Sequence, residues 1–91
     1  MVRSLLLMAL RKDFQKSRDL SRKIISNYKY DARELFNLLL DELLKLPISE
    51  FARSKLIKML AEADMRALDG LDDDIQISSL LSKICFFSES L

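Results

Sequence analysis

The stretch EADMRALDGLDDDIQISSLLSKI, residues Glu62–Ile84, decides the fold of this chain. It holds the only glycine of the sequence, Gly70, followed by three consecutive aspartates, Asp72–Asp74. Apolar residues recur at helical spacing on both sides of this break. Glycine readily takes the left-handed conformation that ends a helix, and an aspartate readily accepts from the free amides that begin one. The stretch therefore predicts two apolar helices joined by a short acidic turn.

The rest of the chain follows the same pattern, because one Gly and one Pro among 91 residues leave few points at which helices can break. Caps and periodicity predict five helices: residues 2–12, a second starting at Asp13, a third from a capping box at Asp31 and Glu34 to Leu46-Pro47, a fourth from Ser49 to Leu68 or Asp69, and a fifth opening within Asp72–Asp74. We therefore predict an all-α protein in which residues 1–91 form a single five-helix bundle with short connections.

Charge is distributed unevenly although the formal net charge is only +1. Residues 1–30 carry eight Lys or Arg against two Asp, whereas residues 31–91 carry seven against twelve Asp or Glu. A basic first third is compatible with a small nucleic-acid-binding domain and also with an ordinary solvated helix face. The polarity fits a third interpretation best, in which unlike surfaces of neighbouring subunits meet head to tail.

Side chains that support catalysis are scarce in this sequence. It has no histidine, one cysteine and no glycine-rich phosphate loop, so we expect no catalytic, cofactor-binding or metal-ligating residues in this chain. The Asp72–Asp74 run fits no calcium-loop spacing and is better explained as the start of a helix. The lone Cys85 excludes an internal disulfide, favours a reducing intracellular setting, and is expected to be a buried thiol. No run of apolar residues is long enough for a membrane span.

Asp64 interrupts the apolar face of the fourth helix. Stepping about 100° per residue places it between Leu60 and Leu68, whereas Glu62 and Arg66 fall on the other side as an exposed pair. A carboxylate on a buried face needs donors, because an unpaired buried charge costs several kcal/mol, roughly. We expect Asp64 to be at least half buried and to tie this helix to a helix end or basic side chain nearby.

The chain also has more apolar residues than its helical stripes use. Five of them point away from the stripes of their own helices, which makes them candidates for a subunit interface: Leu7, Met8, Leu38, Leu44 and Phe86. Burial inside the domain is the alternative for each.

The stretch from Glu62 to Ile84 resembles the end of the small subunit of replication factor C, the sliding-clamp loader of archaea and eukaryotes. That family tends to show Glu-Ala-Asp-aromatic-Arg, a few residues, Glu-Gly, an Asn- or acid-rich cap, then Ile-Gln-Leu and a Leu-Leu pair. Met65, Asp69 and Ile77 depart from the pattern conservatively, and the resemblance leans archaeal. The residues that match the pattern are Glu62, Ala63, Asp64, Arg66, Gly70, Ile75, Gln76, Leu80 and Leu81. Among them we expect structural roles for Asp64, Arg66, Gly70 and Gln76.

The resemblance implies that residues 1–91 are the C-terminal collar domain, a helical oligomerisation domain that joins clamp-loader subunits. It implies that ATP and Mg²⁺ are bound by upstream AAA+ domains that this chain lacks, so the chain would be part of an ATPase without being an enzyme. Its partners would be the small and large loader subunits, and the parent protein would reach the sliding clamp and primer-template DNA. A cytoplasmic location is expected, nuclear in a eukaryote, with no membrane partner. A small helical nucleic-acid-binding domain using residues 1–30 is the alternative function.

Overall fold

Five α-helices and no strand account for residues 1–88, the part of the chain that the computed structural model describes. In chain order they are α1 Val2–Leu10, α2 Phe14–Tyr28, α3 Ala32–Leu44, α4 Glu50–Leu68 and α5 Asp73–Ser88. The all-α architecture predicted from the breakers and caps is therefore confirmed.

The helix starts are where local capping chemistry predicts them. Asp13 and Ser49 each accept a hydrogen bond from the backbone amide three residues later. Asp31 accepts from the amide of Glu34 at 2.8 Å, and the Glu34 carboxylate accepts from the amide of Asp31 at 3.3 Å. These bonds satisfy amides that have no partner within the helix, which fixes where each helix begins.

Helix α1 ends earlier than periodicity indicates. The pattern predicts a helix to Lys12, but α1 ends at Leu10 and Lys12 takes a left-handed conformation with φ of 68°. Lys29, which follows α2, is also left-handed with φ of 56°. Lysine in this region is uncommon, because its Cβ crowds the following carbonyl. A left-handed residue ends a helix whatever the apolar pattern beyond it.

The bundle has α3 and α5 in its middle. Helix α4 packs against both from one side, whereas α1 and α2 pack together on the other. The core between them is formed by Leu5, Leu6, Ala9, Ile24, Ala32, Leu35, Phe36, Leu39, Leu43, Leu46, Leu56, Leu60, Ala63, Ile77, Leu80, Leu81 and Ile84. Because α4 lies apart from α1 and α2, its outer face and the basic first third of the chain are on different sides of the molecule.

Cys85 lies at the edge of this core rather than within it. It is half-buried and packs against buried apolar residues, whereas the α5 stripe predicts full burial. One residue corresponds to about 100° of helix, so the step from the buried Ile84 carries Cys85 to the flank of the stripe.

Candidate subunit interface

The aspartate run at the start of α5 caps two different helices. The Asp72 carboxylate accepts a hydrogen bond from the amide of Ile75 at 3.0 Å and so caps α5 itself. The Asp73 carboxylate accepts from the amide of Ala32 at 3.0 Å, in the first turn of α3. Carboxylates are favourable at both places because the amides of a first helical turn lack partners and carry partial positive charge. The turn after α4 therefore also fixes the start of α3.

Asp74 connects α5 to α2. Its carboxylate lies 3.2 Å from Nη2 of Arg18 and 3.5 Å from Nε of Arg22. Arg18 also donates from Nε to the Ser78 hydroxyl at 2.9 Å. Arg18 and Arg22, two of the eight basic residues in the first third, thus pair with the acidic part of the chain within the domain. Charge complementarity between the two parts of the chain holds helices together as well as shaping the surface.

Asp64 connects α4 to α3 through Arg33. The guanidinium donates from Nε at 2.9 Å and from Nη2 at 3.2 Å to the two carboxylate oxygens. The Asp64 side chain is 31 % exposed and that of Arg33 46 %. The hydrogen bonds that Arg33 donates to Asp64, and then the charge of Asp64, raise the pKa of Arg33 above its ordinary value. The contact is bidentate but partly exposed to solvent. It therefore fixes the relative orientation of α3 and α4 more than it adds to the stability of the fold.

Gly70 and Arg66 lie at the C-terminal end of α4. Gly70 has φ of 87°, and its amide donates to the carbonyl of Ala67 at 3.1 Å. The amide of Leu71 donates to the carbonyl of Arg66 at 3.3 Å. These two bonds form a Schellman motif, which requires a left-handed residue at this position. Arg66 contributes its backbone to the motif while its side chain is exposed.

Gln76 is buried in the second turn of α5, with 7 % of its surface exposed. Within residues 1–88, no buried side-chain nitrogen or oxygen lacks a hydrogen-bond partner. Gln76 therefore belongs to the inside of the bundle, whereas Asp64, Arg66 and Gly70 lie at or near its surface.

The five candidate interface residues divide into two groups. Leu44 at the end of α3 is 53 % exposed and Phe86 near the end of α5 is 79 % exposed. Leu7, Met8 and Leu38 are partly buried, and Leu7 packs against the core. The burial inside the domain that was the alternative for each therefore applies to these three in part. Met8 lies beside Leu20 of α2, and Leu38 lies beside Val2 at the start of α1.

Besides Met1 and Tyr28, five further large apolar side chains among residues 1–88 are exposed, which the sequence did not predict: Phe51, Met65, Leu68, Leu71 and Ile75, each 50 % to 66 % exposed. Four of them lie together in sequence at the turn between α4 and α5. The helical pattern contains a signal for Phe51 and Met65, which lie away from the buried stripe of α4. It contains none for Leu68 and Ile75, because periodicity does not tell whether a neighbouring helix extends far enough to cover a last turn.

The structural role of Arg53 was also not predicted from the sequence. Its guanidinium donates to the carbonyls of Leu43, Leu44, Leu46 and Ile48 at 3.1 to 3.3 Å, and its side chain is only 20 % exposed. These carbonyls end α3 and form the loop before α4, where the donors of a continuing helix are missing, although the amides of Leu46 and Ile48 also reach the carbonyls of Leu43 and Leu46. One side chain thus replaces the missing helical donors and fixes the connection.

A groove of about 450 Å³ lies where the start of α4 meets the end of α5. We call it the basic groove, because lysines flank its apolar lining of Met59, Phe86 and Phe87. Its lining residues are Lys55, Met59, Ser82, Lys83, Phe86 and Phe87. The Lys55 ammonium also lies 5.7 Å from the centre of the Phe51 ring. Such a surface fits apolar side chains accompanied by carboxylates.

Two other classes of site are absent from residues 1–88. No three His, Cys, Asp or Glu side chains in that range converge as metal ligands would. None of the helices there is both long and apolar enough to cross a membrane.

Comparison with known proteins places these observations in a family. The model of the replication factor C C-terminal domain matches residues 1–83. The replication factor C small subunit of Aeropyrum pernix is 36% identical over 94 residues, covering 99% of this chain and 28% of that protein. Its counterpart from Saccharolobus solfataricus is 30% identical over 88 residues, covering 94% of this chain and 27% of that protein.

A third archaeal small subunit, from Sulfurisphaera tokodaii, is 26% identical over 90 residues, covering 97% of this chain and 28% of that protein. The chain thus spans little more than a quarter of the curated relatives that it matches. No solved structure matches it significantly. Together, the family match and these relatives show that the chain belongs to the replication factor C C-terminal domain family.

Proposed function

We propose that this chain is a non-catalytic assembly domain, the collar of a DNA sliding-clamp loader, which holds loader subunits together during DNA replication. The observation that carries the proposal is the family match over residues 1–83. The relatives named replication factor C small subunits are each several times longer than this chain, which is the size relation expected of one domain of a larger subunit.

Its surface supports this assignment. Leu44, Phe51, Met65, Leu68, Leu71, Ile75 and Phe86 are each at least half exposed in a domain of 91 residues. Scattered apolar residues are ordinary on protein surfaces, but clusters of them indicate contact with another molecule. Phe51 and Phe86 lie toward one end of the α4–α5 pair, and Met65, Leu68, Leu71 and Ile75 lie at the other. The exposed Leu44 ends α3, and Met1 and Tyr28 are exposed beside α1 and at the end of α2. The two clusters on the α4–α5 pair are the distribution expected when neighbouring domains pack against one another.

The proposal gives the chain no catalytic step. Other subunits of the loader, small and large, are its direct partners. ATP and Mg²⁺ belong to upstream AAA+ domains of the parent protein, and the sliding clamp and primer-template DNA are reached through that parent.

Co-assembly tests the proposal directly. The 91-residue chain, carrying an affinity tag, is expressed with the replication factor C subunits of its own organism, and the recovered complex is weighed by light scattering. We expect a complex containing both the chain and loader subunits. Recovery of the folded chain alone would overturn the assembly role.

Nucleic-acid binding through residues 1–30 is the alternative function, favoured by the exposed basic residues of α1 and α2. It is weakened by Arg18 and Arg22, which already bind Asp74. DNA binding by the chain, measured between about 50 and 200 mM salt, separates the two. If the chain makes several phosphate contacts, its affinity for DNA should fall by orders of magnitude as the salt concentration rises over this range. An assembly domain should bind DNA weakly at every salt concentration.

A further inference from the structure

The two ends of the α4–α5 pair carry unlike surfaces. The groove lining joins Lys55 and Met59 of early α4 to Lys83 and Phe86 of late α5, so the two helices run antiparallel. Helix α4 has 19 residues, which corresponds to about 28 Å of rise. The longest dimension of the domain is 31 Å. Lys55 and Met59 lie 13 and 9 residues before Leu68, the last residue of α4, which corresponds to roughly 20 and 14 Å along that helix. The basic groove and the α4–α5 turn therefore lie toward opposite ends of the helix pair.

The turn end is apolar and acidic. We call it the acidic corner and define it by Met65, Leu68, Asp69, Leu71, Asp72 and Ile75. Its four apolar members are 66 %, 64 %, 50 % and 64 % exposed in that order. From residue 62 to residue 76 the sequence holds six carboxylates and a single cation, Arg66. The corner thus presents apolar side chains rimmed by negative charge.

The corner is also held in a fixed shape before any partner arrives. The Schellman bonds at Gly70 close the end of α4, and the Asp72 carboxylate caps α5 at 3.0 Å. A surface that is already ordered loses little conformational entropy on binding. It is therefore suited to enter a groove as a rigid projection.

The basic groove has the complementary character. Phe86 is 79 % exposed within it, and Lys55 and Lys83 at its edge are exposed. Among residues 1–88, no carboxylate lines it. An occupant that brings leucine-sized side chains and carboxylates would bury the apolar lining and neutralise both ammonium groups.

We propose that the acidic corner of one copy of this chain docks in the basic groove of a second copy, head to tail. The proposal rests on the assembly function and specifies which surfaces perform it. Because groove and corner lie at opposite ends of one helix pair, they cannot meet within one chain. Each contact leaves one free groove and one free corner, so the arrangement continues to further copies or closes into a ring.

The contact is expected to be weak between isolated domains. A specific interface of standard size removes about 800 Å² from each partner. The whole chain exposes 5538 Å², and the groove covers only a small part of it. Association should therefore need protein concentrations approaching about 1 mM, and it should weaken with salt because both rims are charged and exposed.

Charge reversal in matched pairs tests the contact. The groove-reversed variant is Lys55→Glu/Lys83→Glu and the corner-reversed variant is Met65→Lys/Asp69→Lys. The corner changes place cations in the last turn of α4, which the helix dipole favours, so the fold should tolerate them. Arg3→Glu/Lys23→Glu, at exposed positions on α1 and α2, is the control for net charge.

Sedimentation equilibrium reports the mass of each protein over a concentration series. We expect wild type and the control to associate, each reversed variant alone to weaken association by about tenfold or more, and an equal mixture of the two reversed variants to regain it. The mixture should recover because each variant then offers the surface that the other lacks.

Three outcomes would overturn the contact: a wild type that stays monomeric throughout, association that the reversals leave unchanged, or loss of association that mixing does not restore. The last would indicate a symmetric contact through one surface. Co-assembly with loader subunits distinguishes this failure from failure of the assembly role. Reversed variants that still join the complex as well as wild type would refute the contact alone, whereas a wild type that does not join would refute the function.

Discussion

At the residue scale, the three aspartates after Gly70 show how neighbouring identical side chains take different tasks. Asp72 caps its own helix, Asp73 caps α3, and Asp74 binds arginines of α2. The first task is predictable from sequence because donor and acceptor are three residues apart. The other two join residues 41 and 56 positions apart, and only the folded bundle brings these together. The same distinction separates the predictable Ser49 cap from the Arg53 contacts that sequence reasoning missed.

The backbone of Gly70 gives a direct test at this scale. Its φ is 87°, and a Cβ added there would have no heavy atom within 4 Å. Gly70→Ala should therefore lower the free energy of unfolding by about 1–2 kcal/mol through backbone conformation alone. Urea unfolding of wild type and variant measures the difference.

Two companion variants make the explanation specific. Gly70→Asn should cost less than Gly70→Ala, because asparagine tolerates left-handed backbone better. Lys29→Gly should stabilise the protein, because Lys29 has φ of 56° where glycine is favoured. Equal losses for Ala and Asn at position 70 would show that φ does not determine the cost there.

At the scale of the helices, caps and breakers predict where elements start and end, to within two residues even at the end of α1. Caps and breakers do not predict which parts of each helix are buried by its neighbours. The α4 pattern treats Leu68 as the flank of a buried stripe, yet 64 % of it is exposed. A helix projects its last turn past its neighbours whenever those neighbours are shorter or tilted. This packing information depends on all five helices together and is not encoded in the period of any one.

The contact between Arg33 and Asp64 is a testable connection between two helices. Asp64→Ala and Arg33→Ala should each lower the urea midpoint slightly, and the double variant should lie no lower than either single one. This non-additivity is expected because each change removes the same pair of hydrogen bonds. Urea unfolding of the four proteins completes the cycle.

Glu62→Ala and Arg66→Ala, singly and together, provide a control on α4 itself. Their effects should be small and additive. The Arg33–Asp64 coupling should also shrink in about 1 M salt, since both groups reach solvent. Additive losses at Arg33 and Asp64 would mean that each acts through other contacts and that the pair does not connect α3 to α4.

At the scale of the whole molecule, the unevenly distributed charges of the sequence have two roles. Part is used within the bundle, as at Arg18 and Asp74, and the rest remains on surfaces that point away from one another. The sequence indicates that such polarity suits assembly, which is the role proposed for this domain. The positions of the apolar surfaces are less predictable, because Leu7 and Met8 were expected among them and Met65 and Ile75 were not.

Leu44 and Phe86 test most directly whether the exposed apolar surface serves assembly. The structure leaves them 53 % and 79 % exposed, so Leu44→Ser and Phe86→Ser should each cost the isolated fold less than about 1 kcal/mol. Leu56→Ser, at a fully buried position, is the control that should unfold the domain. The decisive measurement is the mass, by sedimentation velocity, of the complex that each stable variant forms with the loader subunits. We predict intact unfolding midpoints together with reduced co-assembly, because desolvated apolar anchors carry much of the binding energy at interfaces. Unchanged co-assembly together with a badly destabilised domain would contradict the account, since it would assign these side chains to the core.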